Sequence, residues 1–83
     1  DIDMICVFYK NGPPIPLKFR LNRNDGSTTV VHVDQVRTIE EKQPGGLHSY
    51  IYTCASDQGE YVVEYTLTYK VRDLRWQFLW NIQ

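Results

Sequence analysis

The chain has 83 residues, enough for one small domain, and its 42% apolar and 23% charged content is too apolar and too weakly charged for intrinsic disorder. Nine basic against ten acidic side chains leave a formal charge of −1, so the basic excess that usually drives nucleic-acid binding is missing. No apolar run approaches the roughly 20 residues that cross a bilayer, so no membrane partner is expected.

The unusual figure is an aromatic content of 13%, made of six tyrosines, three phenylalanines and two tryptophans. Large rings bury much area per residue and are one route to an adequate core in a short chain. Turn chemistry recurs at N-G-P-P (11–14), N-R-N-D-G-S (22–27), Q-P-G-G (43–46), S-D-Q-G (56–59) and R-D (72–73). Between these turns, six segments rich in β-branched and aromatic residues predict strands near 4–10, 15–22, 28–40, 47–55, 60–71 and 74–82. No internal repeat, linker or low-complexity tract interrupts them, so 1–83 reads as a single domain.

The first segment carries Cys6 in I-C-V, and the fourth carries Cys54 in Y-T-C-A. Two distant cysteines do not make a disulfide framework, and in apolar surroundings a thiol acts as a small buried hydrophobe. A single bridge between these two segments is the alternative. In the second segment Ile15, Leu17, Phe19 and Leu21 share one face, opposite Pro16, Lys18, Arg20 and Asn22. The third segment continues into V-D-Q-V-R-T-I-E-E-K at 33–42, where Val33, Val36 and Ile39 fit either a helical turn or a bulged strand. The bent strand is favoured.

The fourth and fifth segments allow two registers. A two-residue loop at Asp57-Gln58 puts Tyr50, Tyr52 and Cys54 on the face of Tyr61 and Tyr65. A left-handed Gly59 in a bulged turn instead puts Leu47, Ile51 and Ala55 inside and leaves Tyr50 and Tyr52 on the surface. Gly59 favours the second. The fifth and sixth segments pair with less ambiguity. A turn at Arg72-Asp73 sets Val71 opposite Leu74, Tyr69 by Trp76, Leu67 by Phe78, Tyr65 by Trp80 and Val63 by Ile82. A one-residue slip would spoil that match on both strands. Arg-Asp is poor chemistry for a two-residue turn, so a longer connection of the same parity is allowed. Six sequential strands form an antiparallel meander, and curling it into a small SH3-like barrel or a tight two-layer roll would cover its aromatic face and shorten its edges.

Nothing in the chain reads as catalytic machinery. His32 in V-V-H-V-D and His48 in G-L-H-S-Y are ordinary strand-surface positions, and Cys54 lies mid-strand rather than on a nucleophile turn. His32 and Asp34 give two ligands of one strand face and no third, Gly45-Gly46 is a turn rather than a phosphate loop, and Glu40-Glu41 is a solvated strand end. No enzyme activity, metal, cofactor or small-molecule ligand is expected.

Two binding readings remain. Lys18 and Arg20 project from one strand face with Arg23 in the following turn. With exposed Tyr50 and Tyr52 nearby they would suit single-stranded nucleic acid. Leu79, Val62 and Ile5 or Val7 instead fall opposite the core, and an apolar patch including Leu79 would suit a protein partner or a second copy of the chain. The second reading is preferred.

The stretches V-F-Y-K-N-G-P-P-I-P-L-K-F-R-L-N, V-x-V-D-Q-V-R-T-I-E-E-K and Y-T-C resemble a group of small single-domain proteins of Gram-positive bacteria, clostridia in particular. The resemblance implies a cytoplasmic bacterial protein and transfers no functional residue.

Overall fold

A computed structural model describes residues 2–80 of the chain. It consists of seven strands, β1 (Asp3–Val7), β2 (Ile15–Asn22), β3 (Thr28–His32), β4 (Gln35–Lys42), β5 (Ser49–Asp57), β6 (Val62–Lys70) and β7 (Arg75–Trp80), with a short 3-10 turn at Pro44–Gly46. All neighbouring strands pair antiparallel, β1-β2-β3 in one sheet and β4-β5-β6-β7 in the other. The all-β prediction holds. The expected six-stranded meander curled into an SH3-like barrel or roll is met only in part, because the described residues form seven strands in two sheets and no closed barrel.

The difference arises in the third segment. The Val33 N–H donates to the Leu17 carbonyl (2.9 Å) in the three-stranded sheet, and the Asp34 N–H donates to the Ala55 carbonyl (3.2 Å) in the other. The chain therefore changes sheets between adjacent residues, and one predicted strand becomes β3 and β4. A bulge follows at Arg37, between Val36 opposite Cys54 and Thr38 opposite Thr53, as expected where a strand turns a corner between layers. At the opposite side of the sandwich a bridge from the Ile2 N–H to the Trp76 carbonyl (3.1 Å) brings the start of the chain against β7.

The β6–β7 hairpin has the register read from the sequence, with Tyr65 opposite Trp80, Leu67 opposite Phe78 and Tyr69 opposite Trp76. The Val63–Ile82 pair lies outside the described residues. The connection is longer than two residues, since Lys70 pairs with Arg75 across residues 71–74. Its last residue, Leu74, is left-handed (φ 55°) and 75% exposed, so it does not join the inner face as its place in the alternation suggested.

The β5–β6 register overturns the bulged alternative. Cys54 faces Tyr65, Tyr52 faces Leu67 and Tyr50 faces Tyr69, so Tyr52 is core (0% exposed) rather than surface. The loop at 58–61 has four residues, and the Gln58 N–H donates to the Tyr61 carbonyl (2.9 Å). Four residues preserve the parity of a two-residue loop, while Gly59 still takes its positive φ of 95° inside the longer turn. Burial decides the choice, because large rings remove far more surface from water than Leu47 and Ile51 would. Tyr61, expected on the inner face, is exposed in this loop.

A second phase error lies in β2. Ile5 pairs with Lys18 and Cys6 with Pro16, so Leu17 is an extra, bulged residue. It inverts the alternation: Pro16 is buried and Leu17 exposed, while Phe19 keeps its inward position. Phe19 then spans the gap between sheets, with its ring 5.5 Å from those of Tyr65 and Phe78. Tyr52 and Tyr69 pack against Trp76 at 5.2 and 4.9 Å. Edge-on and tilted rings at such separations add about 0.5–1.5 kcal/mol per pair beyond their burial.

Hydroxyl groups in this core bind one layer to the other. The Tyr52 hydroxyl donates to the Pro14 carbonyl at 2.5 Å, holding the β1–β2 connection against the four-stranded sheet. Ser56 Oγ donates to the His32 carbonyl at 2.5 Å and lies 2.5 Å from the Tyr65 hydroxyl. Serine has one proton to give and a carbonyl can only accept, so Tyr65 donates to Ser56. The chain of bonds runs from β6 through β5 to the end of β3.

Two outcomes follow from these features. Tyr52→Phe leaves the buried Pro14 carbonyl without its donor and should lower unfolding stability by about 1–2 kcal/mol in urea titrations. Leu74→Asn, a residue that tolerates the left-handed region, should raise stability by about 0.5–1 kcal/mol and shift the thermal midpoint up by a few degrees.

Candidate interaction surface

Two sheets with a shared core leave two outer faces. On the three-stranded sheet the cross-strand rows are Asp3–Arg20–Val30 and Ile5–Lys18–His32. Arg20 is ion-paired to Asp3 at 2.6 Å, with both side chains more than half exposed, an arrangement that contributes little stability but occupies the guanidinium. Arg23 lies in the β2–β3 turn, its guanidinium 3.5 Å from Ser27 Oγ. The same turn is ordered by Asp25, which accepts from the Ser27 hydroxyl and amide at 2.6 and 2.9 Å; these bonds hold its carboxyl below the ordinary value.

The tyrosines expected beside this basic strand are elsewhere. Tyr52 is enclosed between the sheets. Tyr50 is half-buried on the inner side of the other sheet, its ring 4.8 Å from that of His48. His48 Nε2 lies 2.6 Å from Glu41 Oε2. Burial, and then the neighbouring Glu41 carboxylate, push the Tyr50 phenol above its ordinary value. Lys18, Arg20 and Arg23 thus share a region of one sheet, Tyr50 and Tyr52 belong to the inner side of the other, and Leu79 lies on that second sheet's outer side. The structure does not gather the six into one site.

The outer face of the four-stranded sheet has an order of its own. Its first row is Lys42–Ser49–Lys70–Arg75, its second Glu40–Ile51–Thr68–Gln77 and its third Thr38–Thr53–Thr66–Leu79. Beyond them come Glu64, opposite Ala55, and then Val62 opposite Asp57. One end of the face is mainly basic, with Arg72 and Asp73 in the adjoining turn and Glu40 3.9 Å from Lys42; the other is mainly acidic, with Glu60 in the adjoining loop and Arg37 paired to Glu64. The third row carries no charge, and it holds Leu79 at 67% exposure, with Val62 at 56% nearer the acidic end. Threonine methyls and Ile51 fill the space between. Sequence reading singled out Leu79 and Val62 but missed this polarity, which within a single strand is present only in β6, from Lys70 to Glu64. Seeing it required the register that aligns three hairpins.

Two further features bear on chemistry. An open cleft of about 570 Å³ lies between β1 and the β6–β7 turn, lined mainly by Ile2, Met4, Phe8, Tyr69, Leu74 and Trp76. Among the described residues, no three His, Cys, Asp or Glu side chains group closely enough to hold a metal ion. Both cysteines are free, and burial pushes the fully enclosed Cys54 thiol up to about 12, which keeps it protonated and unreactive near neutrality.

The described residues form a small two-sheet antiparallel β protein with one polarised outer face. No known protein family, curated protein or solved structure matches the chain.

The raised thiol and phenols set a pH dependence. An unfolded Cys54 ionises near its ordinary 9.0 while the folded thiol holds its proton to about 12. Between those values the native state binds more protons, so stability falls as pH rises. Tyr52, Tyr65 and Tyr69, all raised chiefly by burial from an ordinary 10.0, extend the same trend. Urea midpoints should be level between about pH 6 and 8 and decline from pH 9 upward. At pH 8 a thiol reagent should modify half-buried Cys6 in the folded protein and reach Cys54 only at the rate of unfolding.

Proposed function

We propose that the chain is one domain acting as a non-enzymatic protein-interaction or self-association module, bacterial and cytoplasmic, whose contact surface is the outer face of β4–β7. The observation that carries this reading is the uncharged third row, where Leu79 stands 67% exposed among threonines on a four-stranded sheet whose other side is the core. An apolar centre with charged margins is the usual anatomy of a protein contact. Exposed single apolar residues are common on any protein; here Leu79, Ile51 and Val62 are placed on one sheet face by the register itself.

The nucleic-acid reading is weaker. It needs rings beside Lys18 and Arg20 on which bases can stack, and Tyr52 is enclosed while Tyr50 belongs to the other sheet. No helix among the described residues is long and apolar enough to cross a membrane.

The reading is tested by placing a photo-crosslinking phenylalanine analogue at position 79 and, as a control, at His32 on the outer face of the three-stranded sheet. Position 79 should give covalent adducts with polypeptide, and position 32 should not. Adducts from position 32 alone, or with nucleic acid alone, would overturn it.

A further inference from the structure

Resting on that reading, we infer that the polypeptide received by this face is a second copy of the same chain, packed outer sheet to outer sheet about a two-fold axis that runs across the strands.

The argument is one of charge and symmetry. Two identical faces brought together by a two-fold must have that axis in the plane of contact. An axis along the strands lays each end of the face on the same end of its copy, setting Lys42, Lys70 and Arg75 against themselves. An axis across the strands reverses the direction, so Lys70 in the basic row of one copy meets the end of the other that holds Glu64, Asp57 and Glu60, with Arg37 beside them. Like charges in contact oppose association, and complementary ones fix register. The polarity seen here, with Lys70 at one end of β6 and Glu64 near the other, therefore selects the crossing axis.

Placed between the second and third rows, that axis sets Lys70 over the second copy's Glu64, Lys42 over its Gln35 beside Arg37, Thr68 over its Thr66 and Ile51 over its Thr53. Leu79 meets the methylenes of Gln77. Glu64 is already paired with Arg37 of its own chain, and Lys70 then adds a second cation to the same carboxylate. A face of four strands about 4.8 Å apart and eight residues long at about 3.4 Å each covers about 500 Å² per copy, or about 1,000 Å² for the pair, the lower bound for a specific contact. The association is therefore expected to be reversible and weakened by salt.

Sedimentation equilibrium of the full chain over a range of concentrations tests this. The wild type should show a monomer–dimer equilibrium. Leu79→Arg, at an exposed position, should leave the circular dichroism spectrum unchanged and weaken dimerisation at least tenfold. Lys70→Glu and Glu64→Lys should each weaken it at least tenfold, and the double variant should recover to within about threefold of wild type. The two positions are six residues apart on one strand, too far to compensate within one copy. A dimer strengthened by Lys70→Glu, or with no recovery in the double variant, would overturn the crossing axis. A strict monomer whose position 79 still crosslinks to another polypeptide would overturn the inference while leaving the interaction reading intact. A strict monomer without such adducts would remove both.

Discussion

The line of hydroxyl bonds from Tyr65 through Ser56 to the His32 carbonyl carries the arrangement of the two sheets. Its last acceptor sits at the end of β3, one residue before the chain leaves the first sheet. Apolar burial by itself tolerates sliding, since it responds to area more than to direction. A buried hydroxyl does not, because an unmatched donor or acceptor in that place costs about 1–3 kcal/mol. Tyr52, bonded to Pro14 at the opposite connection, applies the same constraint. Together with the Val33–Asp34 crossing and the Ile2–Trp76 bridge, these bonds hold a sandwich whose sheets otherwise meet through rings and through aliphatic side chains such as Met4, Leu21 and Val31.

Fixing the layers settles what each face of the four-stranded sheet can do. The inner face is occupied by Tyr52, Cys54, Tyr65, Leu67, Tyr69 and Trp76, all buried. The same ladder that aligns them aligns the alternate residues outside, so the rows of threonine, Leu79 and flanking charge are a geometric consequence of core register. A slip of one residue in β5 against β6 would expose Tyr52 and break the charge polarity at once. Core and candidate contact surface are in this sense one constraint seen from two sides. The aromatic run at the end of the chain shows the division well. Trp76 is enclosed, Phe78 is half-buried and Trp80 is 49% exposed, so the wall it forms thins toward the end of β7, while Leu79 looks outward throughout.

Much of this was legible locally. The β6–β7 pairing followed from two alternating series that must match ring for ring, and the loop between them altered in length without altering parity. The bend in the third segment was visible as broken alternation. The errors share one cause: β5–β6 and β2 each carry plausible apolar residues on both faces, Ile51 and Ala55 against Tyr52 and Cys54, Leu17 against Pro16. Where both phases offer something to bury, local patterning does not select between them, and a single bulged residue such as Leu17 reverses the face of the residues before it.

The sequence by itself determined the strand class, most turn positions, the final hairpin's register and Leu79's place opposite the core, because each rests on near neighbours and the two-residue period of a strand. Only the tertiary structure decided that the chain splits between two sheets at Val33 and Asp34, that Tyr52 is enclosed, and that Lys18, Arg20 and Leu79 lie on different sheets. Those outcomes depend on which surfaces meet across the core, where burial of large rings and satisfaction of their hydroxyls are settled between segments far apart in the chain.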